Sequence, residues 1–251
     1  MFLSGVGIIT NMENQNNNFA VPIAIIIAGL VIAGAVYFGG EKSGSNAKIA
    51  KVQDSVERNY ETPENNVKPV SSSDHIKGNP NAKVKIIEFS DPKCPFCKRH
   101  HSVMNDIIKE YGKSGQVAWI YRHFPLDNLH SKARKESEAL ECANEQGGNA
   151  KFWEYLDKIF AVTPSNNGLN LNELPNIAGE IGLNLEEFEL CLNSGKYAKR
   201  IQDDFIDGSN SGANGTPYNI VIAGNGKKFV INGALPYAKI KAVIDQALAE
   251  K

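Results

Sequence analysis

"DPKCPFCKRH", residues 91–100, sets two cysteines two residues apart with a proline directly after the first. The stretch before it, "AKVKIIEFS", is a short, apolar, β-branched run and reads as a strand. The stretch after it predicts a helix from Pro95 to about Tyr111, with Phe96, His100, Val103, Met104, Ile107, Ile108 and Tyr111 on one face and Gly112 at its end. "QVAWIYRHF" reads as a second strand. Strand, helix, strand implies a right-handed βαβ unit, with the cysteines at the start of its helix.

Proline is favoured at the first helical position, which makes Cys94 the N-cap and Cys97 the third helical residue. A thiolate at an N-cap faces unpaired N–H groups and the positive end of the helix dipole, and its pKa falls. Lys93, Lys98 and Arg99 act in the same direction where their heads reach the sulfur. The spacing thus predicts an exposed, activated Cys94 and a partly buried resolving Cys97, the two thiols that disulfide exchange requires. A zinc site completed by His100 or His101 and a pair of inert thiols are the alternatives. Structural zinc takes four ligands, often as two separated pairs, and the chain has no second CxxC. The expectation is a redox pair that needs neither metal nor cofactor.

The chain has 251 residues and a formal net charge of −1, so no bulk basic field speaks for nucleic acid as a partner. Four cysteines are too few for a disulfide-dense scaffold. "FAVPIAIIIAGLVIAGAVYF", Phe19 to Phe38, is uncharged and long enough to cross a hydrocarbon core. The residues before it, "NMENQNNN", lack the basic start of a cleaved signal peptide, which favours an uncleaved anchor. Lys42, Lys48 and Lys51 lean toward a cytoplasmic domain by the positive-inside rule, against the thiol chemistry. The expected order is a tail (1–18), an anchor (19–40), a polar tether (41–77), a sheet domain in two pieces (78–125 and 214–251) and a helical insertion (126–213). Within the insertion, "HSKARKESEALECANEQGG" and "NAKFWEYLDKIFA" read as two helices separated by a glycine pair. "NELPNIAGEIG", "NLEEFELCLNSG" and "KYAKRIQDDFIDGSNSG" read as three more, and "YNIVIAGNGKKFVING" as two strands before a closing helix.

"IIEFSDPKCPFC", "YRHFPL", "CANEQGGNAKFWEYLDKIF" and "GANGTPYNIVIAG" together resemble the DsbA-like branch of the thioredoxin superfamily, from about Asn79 to the C-terminus. The resemblance implies an α/β thioredoxin fold (βαβ–ββα) with an inserted helical domain, here behind the N-terminal transmembrane helix. It implies that Cys94 attacks substrate and Cys97 resolves. It further implies that Pro217 is cis opposite the cysteines, leaving the backbone of Thr216 free to pair with an extended substrate; Phe96 and Thr216 are then the substrate-binding residues. Glu88 lies inside the first strand, where a carboxylate is unusual because both faces of a central strand are normally buried. With the resemblance it reads as a buried acid of raised pKa that exchanges protons with Cys97; on an edge strand it would face solvent. Arg122 and His123 end the second strand and read as ordinary polar contacts. Phe96, between the cysteines, offers no hydrogen-bond donor to a thiolate, a departure from which no very oxidising potential is inferred.

Cys142 and Cys191 border the apolar faces of two helices expected to pack together, and an oxidising compartment disfavours stray thiols. They are expected to form a structural disulfide; the alternative is two separate buried cysteines acting as small apolar residues. The function expected is a membrane-anchored, monomeric thiol–disulfide oxidoreductase outside the cytoplasm, donating disulfides to secreted proteins and reoxidised by a membrane redox partner. The alternatives are a reductase or isomerase, and a non-catalytic, anchored thioredoxin-like binding module.

Overall fold

The computed structural model describes residues 62–251. The apolar run Phe19–Phe38 and most of the tether lie outside the described residues. Among the described residues no helix is long and apolar enough to cross a membrane.

Five strands form one sheet in the order β1-β3-β2-β4-β5: β1 His75–Gly78, β2 Val84–Ser90, β3 Val117–His123, β4 Tyr218–Ile222 and β5 Lys228–Asn232. β2 and β3 run parallel, joined by helix α1, Pro95–Tyr111. β4 is antiparallel to β2, and β5 to β4, around a turn that uses Gly226 at φ +87°. β2 is therefore central and buried on both faces. Val84 and Ile86 pack under α1 with Trp119 and Tyr121, while Ile87 and Phe89 pack on the opposite face with Ile120 and Ile220. Each such side chain contributes roughly 1.5–3 kcal/mol when fully buried.

Between β3 and β4 the chain makes four helices: α2 Ala133–Val162, α3 Glu173–Glu180, α4 Leu185–Ser194 and α5 Ala198–Asn210. α2 is broken at Gly147 and at Gly148, whose φ of 66° and ψ of −164° only glycine adopts readily, so the glycine pair does divide this segment into separate helical halves. α4 starts on Asn184, whose side chain accepts from the Glu187 N–H, and ends at Gly195 with φ +64°. α6, Tyr237–Ala249, closes the fold. The mixed α/β fold with a helical insertion is as the sequence predicts.

Two details differ. The tether expected to reach residue 77 stops short of it, because His75–Gly78 is β1, paired antiparallel with the outer side of β3. Four residues are too few to show a strand period. The outward edge of β1 is covered by a side chain: Asn149 Oδ1 accepts from the Ile76 N–H at 2.9 Å and its Nδ2 donates to the Ile76 carbonyl at 2.7 Å. The buried face of α1 is also turned from the expected one. Cys97, His100, His101, Met104, Ile107 and Tyr111 are buried, whereas Phe96 is 53% exposed.

Candidate active site

The site begins where β2 stops. Asp91, fully buried, accepts the Cys94 N–H on its carbonyl at 3.1 Å, and its Oδ1 accepts the Lys93 N–H at 2.7 Å. That turn delivers Cys94 to the N-cap of α1, with Pro95 at the first helical position. Both cysteines are thiols. Cys94 is only 3% exposed, more enclosed than its expected exposed setting, and Cys97 is fully buried.

The two sulfurs are shifted in opposite directions from the usual thiol value. The Cys97 thiol hydrogen-bonds the Cys94 sulfur, and this outweighs burial in lowering the Cys94 pKa to about 6. The Thr216 hydroxyl and the N–H groups of Cys97 and Phe96 add to the same effect. Burial pushes the Cys97 thiol well above its usual value, helped by the charges of Cys94 and Glu88. The lysines and arginine named from the sequence do not supply the positive charge. Lys93 is buried against Glu136, and the Lys98 ammonium donates to the Thr163 carbonyl at 2.6 Å. Arg99 stacks 5.3 Å from the Phe96 ring and donates to the Ala234 carbonyl at 3.2 Å.

The Thr216–Pro217 peptide is cis. Its turn brings the Thr216 carbonyl to 3.5 Å from the Cys94 thiol, which donates to it. The Thr216 hydroxyl is buried with no other partner, free to turn toward the sulfur. Glu88 sits in central β2 and is 1% exposed. It shares the α1-facing side of the strand with Ile86, which aims it beneath Cys97. Its Oε2 accepts from Trp119 Nε1 at 2.8 Å and lies 3.9 Å from His100 Nε2. His100, the conceivable metal ligand, instead meets Asn219 Oδ1 at 3.1 Å, and His101 meets Asp157 Oδ1 at 2.5 Å. Phe96 projects from the mouth of the site. Cys142 and Cys191 are joined in a disulfide between α2 and α4, with Cα atoms 5.8 Å apart.

Two clusters have no counterpart in the sequence reading. His130 Nδ1 lies 2.8 Å from Asp91 Oδ2, beside the Cys94 turn. Neither residue sits in a periodic segment, so no pattern in the sequence pointed to the pair. On the α1-facing side of the sheet, at the ends of β1 and β3, Nε2 of His75 and His123 approach Glu141 Oε1 at 2.7 and 2.8 Å. These three side chains offer ligand atoms within 4.8 Å of one another, as a metal triad would. Arg200 Nε donates to the same Glu141 oxygen at 2.6 Å, so a guanidinium already supplies the cation. Arg122 ends β3 between Asp74 and Asp207, at 2.8 and 2.7 Å, and is structural in geometry.

A family model described as thioredoxin matches residues 71–246. The Na(+)/H(+) antiporter NhaA 1 of Mycobacterium sp. (strain KMS) is 32% identical over 165 residues, which are 64% of this chain and 25% of that protein. The chain thus spans about a quarter of the length of the curated relatives it matches. Among solved structures, DsbA2 of Pseudomonas aeruginosa shares 26% identity at a TM-score of 0.58, covering 73% of this chain and 100% of its own. BdbD from Bacillus subtilis, in its oxidised form, shares the fold at a TM-score of 0.64 with 22% identity, over 73% of this chain and 97% of its own. With the CxxC at the head of α1 and the helical layer between β3 and β4, the chain belongs to the thioredoxin family, as a DsbA-like member of that superfamily of thiol–disulfide oxidoreductases.

Proposed function

We propose that the protein oxidises pairs of protein thiols through Cys94 and Cys97, most simply as a donor of disulfides to secreted proteins. The observation that carries this reading is the split between the sulfurs: Cys94 is held at about pKa 6 while Cys97 is held well above its usual value. A substrate thiolate attacks Cys94 Sγ in the oxidised pair. The Cys94–Cys97 bond breaks, a substrate–Cys94 disulfide forms, and the electron pair leaves on Cys97, which takes a proton. A second substrate thiolate then attacks the substrate sulfur, and Cys94 departs as a stabilised thiolate. The substrate is oxidised by two electrons and the enzyme pair is reduced by two.

A thiolate titrating at about 6 rather than 9.0 favours the reduced enzyme at pH 7 by about 1.4 kcal/mol, or about 30 mV toward a more oxidising potential. That is a modest bias, in keeping with the apolar Phe96. In this reading Glu88 exchanges the Cys97 proton, and Thr216 with cis Pro217 pairs with an extended substrate backbone. A groove of about 430 Å³ lined by Phe124, Leu126, Leu129, Phe205 and Asn214 runs beside that turn and suits the flanking residues of such a peptide.

The apolar run Phe19–Phe38 would anchor the domain outside the cytoplasm, where an oxidised pair persists, and a membrane redox partner would reoxidise it. The test is the reduction potential of the pair against glutathione, together with refolding of a reduced disulfide protein. A potential above that of the glutathione pool and Cys94-dependent refolding support the oxidase. A potential well below it makes the protein a reductase, and exchange that survives Cys94→Ser removes the site.

A further inference from the structure

The apolar Phe96 leaves the Cys94 thiolate without a charged partner inside the CxxC, and Lys93, Lys98 and Arg99 are committed elsewhere. Asp91 points to what replaces them. Its carboxylate does two jobs at once. Oδ1 shapes the turn that presents Cys94, through the Lys93 N–H at 2.7 Å. Oδ2 accepts the Leu126 N–H at 2.8 Å and holds His130 Nδ1 at 2.8 Å. His130 is 5% exposed and lies on the loop between β3 and α2, its backbone N–H bonded to the Leu126 carbonyl at 2.8 Å.

The opposite wall is strained. Ser165, Asn166 and Asn167 have φ of 66°, 49° and 33°, three successive non-glycine residues in left-handed conformation. Such a conformation persists where the surroundings over-determine it. They do so here: the Asn166 N–H donates to the Lys93 carbonyl at 2.8 Å, and Asn167 Nδ2 to the Leu129 carbonyl at 3.0 Å. This turn ties the residue before Cys94 to the residue before His130.

From this geometry we propose that His130, gripped by Asp91, is the cation that stabilises the Cys94 thiolate, a positioning residue of the redox site. The inference rests on the thiol-exchange reading above and names the source of positive charge at that site. The hydrogen bond to Asp91 raises the His130 pKa against burial, and the Asp91 and Cys94 charges and the Asn166 side chain add to the rise. The other charges facing the pair are accounted for: Lys93 and Glu136 meet each other, and Lys132 donates to the Asn167 and Leu169 carbonyls, both at 3.1 Å. Glu88 lies on the Cys97 side and acts on that thiol. With the histidine pKa raised and the thiol pKa lowered, imidazolium and thiolate coexist near neutral pH. Below that range the thiol is protonated; above it the imidazolium is lost and the thiolate becomes a poorer leaving group.

The full-length protein, reduced, is alkylated across pH 4–10 and assayed for thiol exchange, beside His130→Asn and His130→Lys. Asparagine keeps a donor toward Asp91 without the charge; lysine keeps a charge without the histidine titration. In His130→Asn the Cys94 titration is expected to move up, cutting alkylation at pH 6 by about three- to tenfold. His130→Lys is expected to retain the low titration and to lose the alkaline step in exchange rate that the wild type shows. A Cys94 titration in His130→Asn equal to the wild type overturns the proposal, as does a lysine variant that behaves like asparagine. If His130→Asn does not fold, the alkaline step in the wild type and its loss in His130→Lys decide alone, and a wild-type rate without that step overturns the proposal. Absence of any exchange by the wild type would instead overturn the redox reading itself.

Discussion

The low Cys94 pKa depends most on a neighbour that is itself a thiol. In Cys97→Ala the donor is removed while the Phe96 and Cys97-position N–H groups remain. The Cys94 titration is therefore expected to rise from about 6 toward, but not to, 9.0, read from thiolate absorbance against pH. A midpoint that stays at about 6 would mean that the remaining groups, the helix N–H groups and the Thr216 hydroxyl among them, hold the anion without the Cys97 thiol. At this scale the sequence is legible where local rules act. Proline after Cys94 fixes the cap, and a carboxylate in an apolar run marks Glu88. His130 is illegible because its relation to Cys94 passes through Asp91, 39 residues away, and no period links them.

Among the elements, α5 reaches the sheet through a glycine. A Cβ on Gly208 would lie 2.7 Å from ring atoms of both Phe89 and Phe124. Gly208→Ala should cost about 1–3 kcal/mol in urea unfolding, since neither ring has room to retreat; an unchanged midpoint would show that the helix shifts freely. The Cys142–Cys191 bridge, 49 residues apart in sequence, ties α2 to α4. By chain entropy alone its loss in the double serine variant costs up to about 4 kcal/mol, and strain relief reduces that figure. The same variant is expected to keep the Cys94 titration, because the bridge lies in the helical layer; loss of that titration would mean that the layer supports the redox turn. The helix count is readable from glycines and caps such as Asn184. β1 is not, since "HIKG" becomes a strand only because β3 offers it an edge.

For the molecule as a whole, buried ionic clusters join the helical layer to the sheet, and they set its response to acid. Burial raises the Glu141 pKa, but hydrogen bonds from His123 and His75 outweigh it and hold the carboxyl well below the usual range. Burial lowers the His75 pKa below 6.5. Both folded values are depressed, so both contributions are present above the unfolded pKa values and lost as pH falls. Stability should decline first below about 6.5, as unfolded His75 takes up a proton, and again below about 4.5, as unfolded Glu141 does. Urea unfolding at pH 7.5, 5.5 and 4 measures it. Glu141→Gln should lower stability at pH 7.5 and flatten the lower step, and a wild type equally stable at all three pH values would contradict the linkage.

Asn149, at the start of the second half of α2, donates to and accepts from Ile76 as a further strand would. An amide on a helix thereby ends the sheet where another molecule could continue it. Replacing it by alanine leaves one N–H and one carbonyl of β1 open to intermolecular pairing. Asn149→Ala is expected to keep its redox titration yet self-associate with rising concentration, seen as earlier elution in size-exclusion chromatography. An unchanged elution volume would show that other features guard that edge. Earlier elution would show that the side chain that completes the fold at this border also keeps copies of the protein from pairing there.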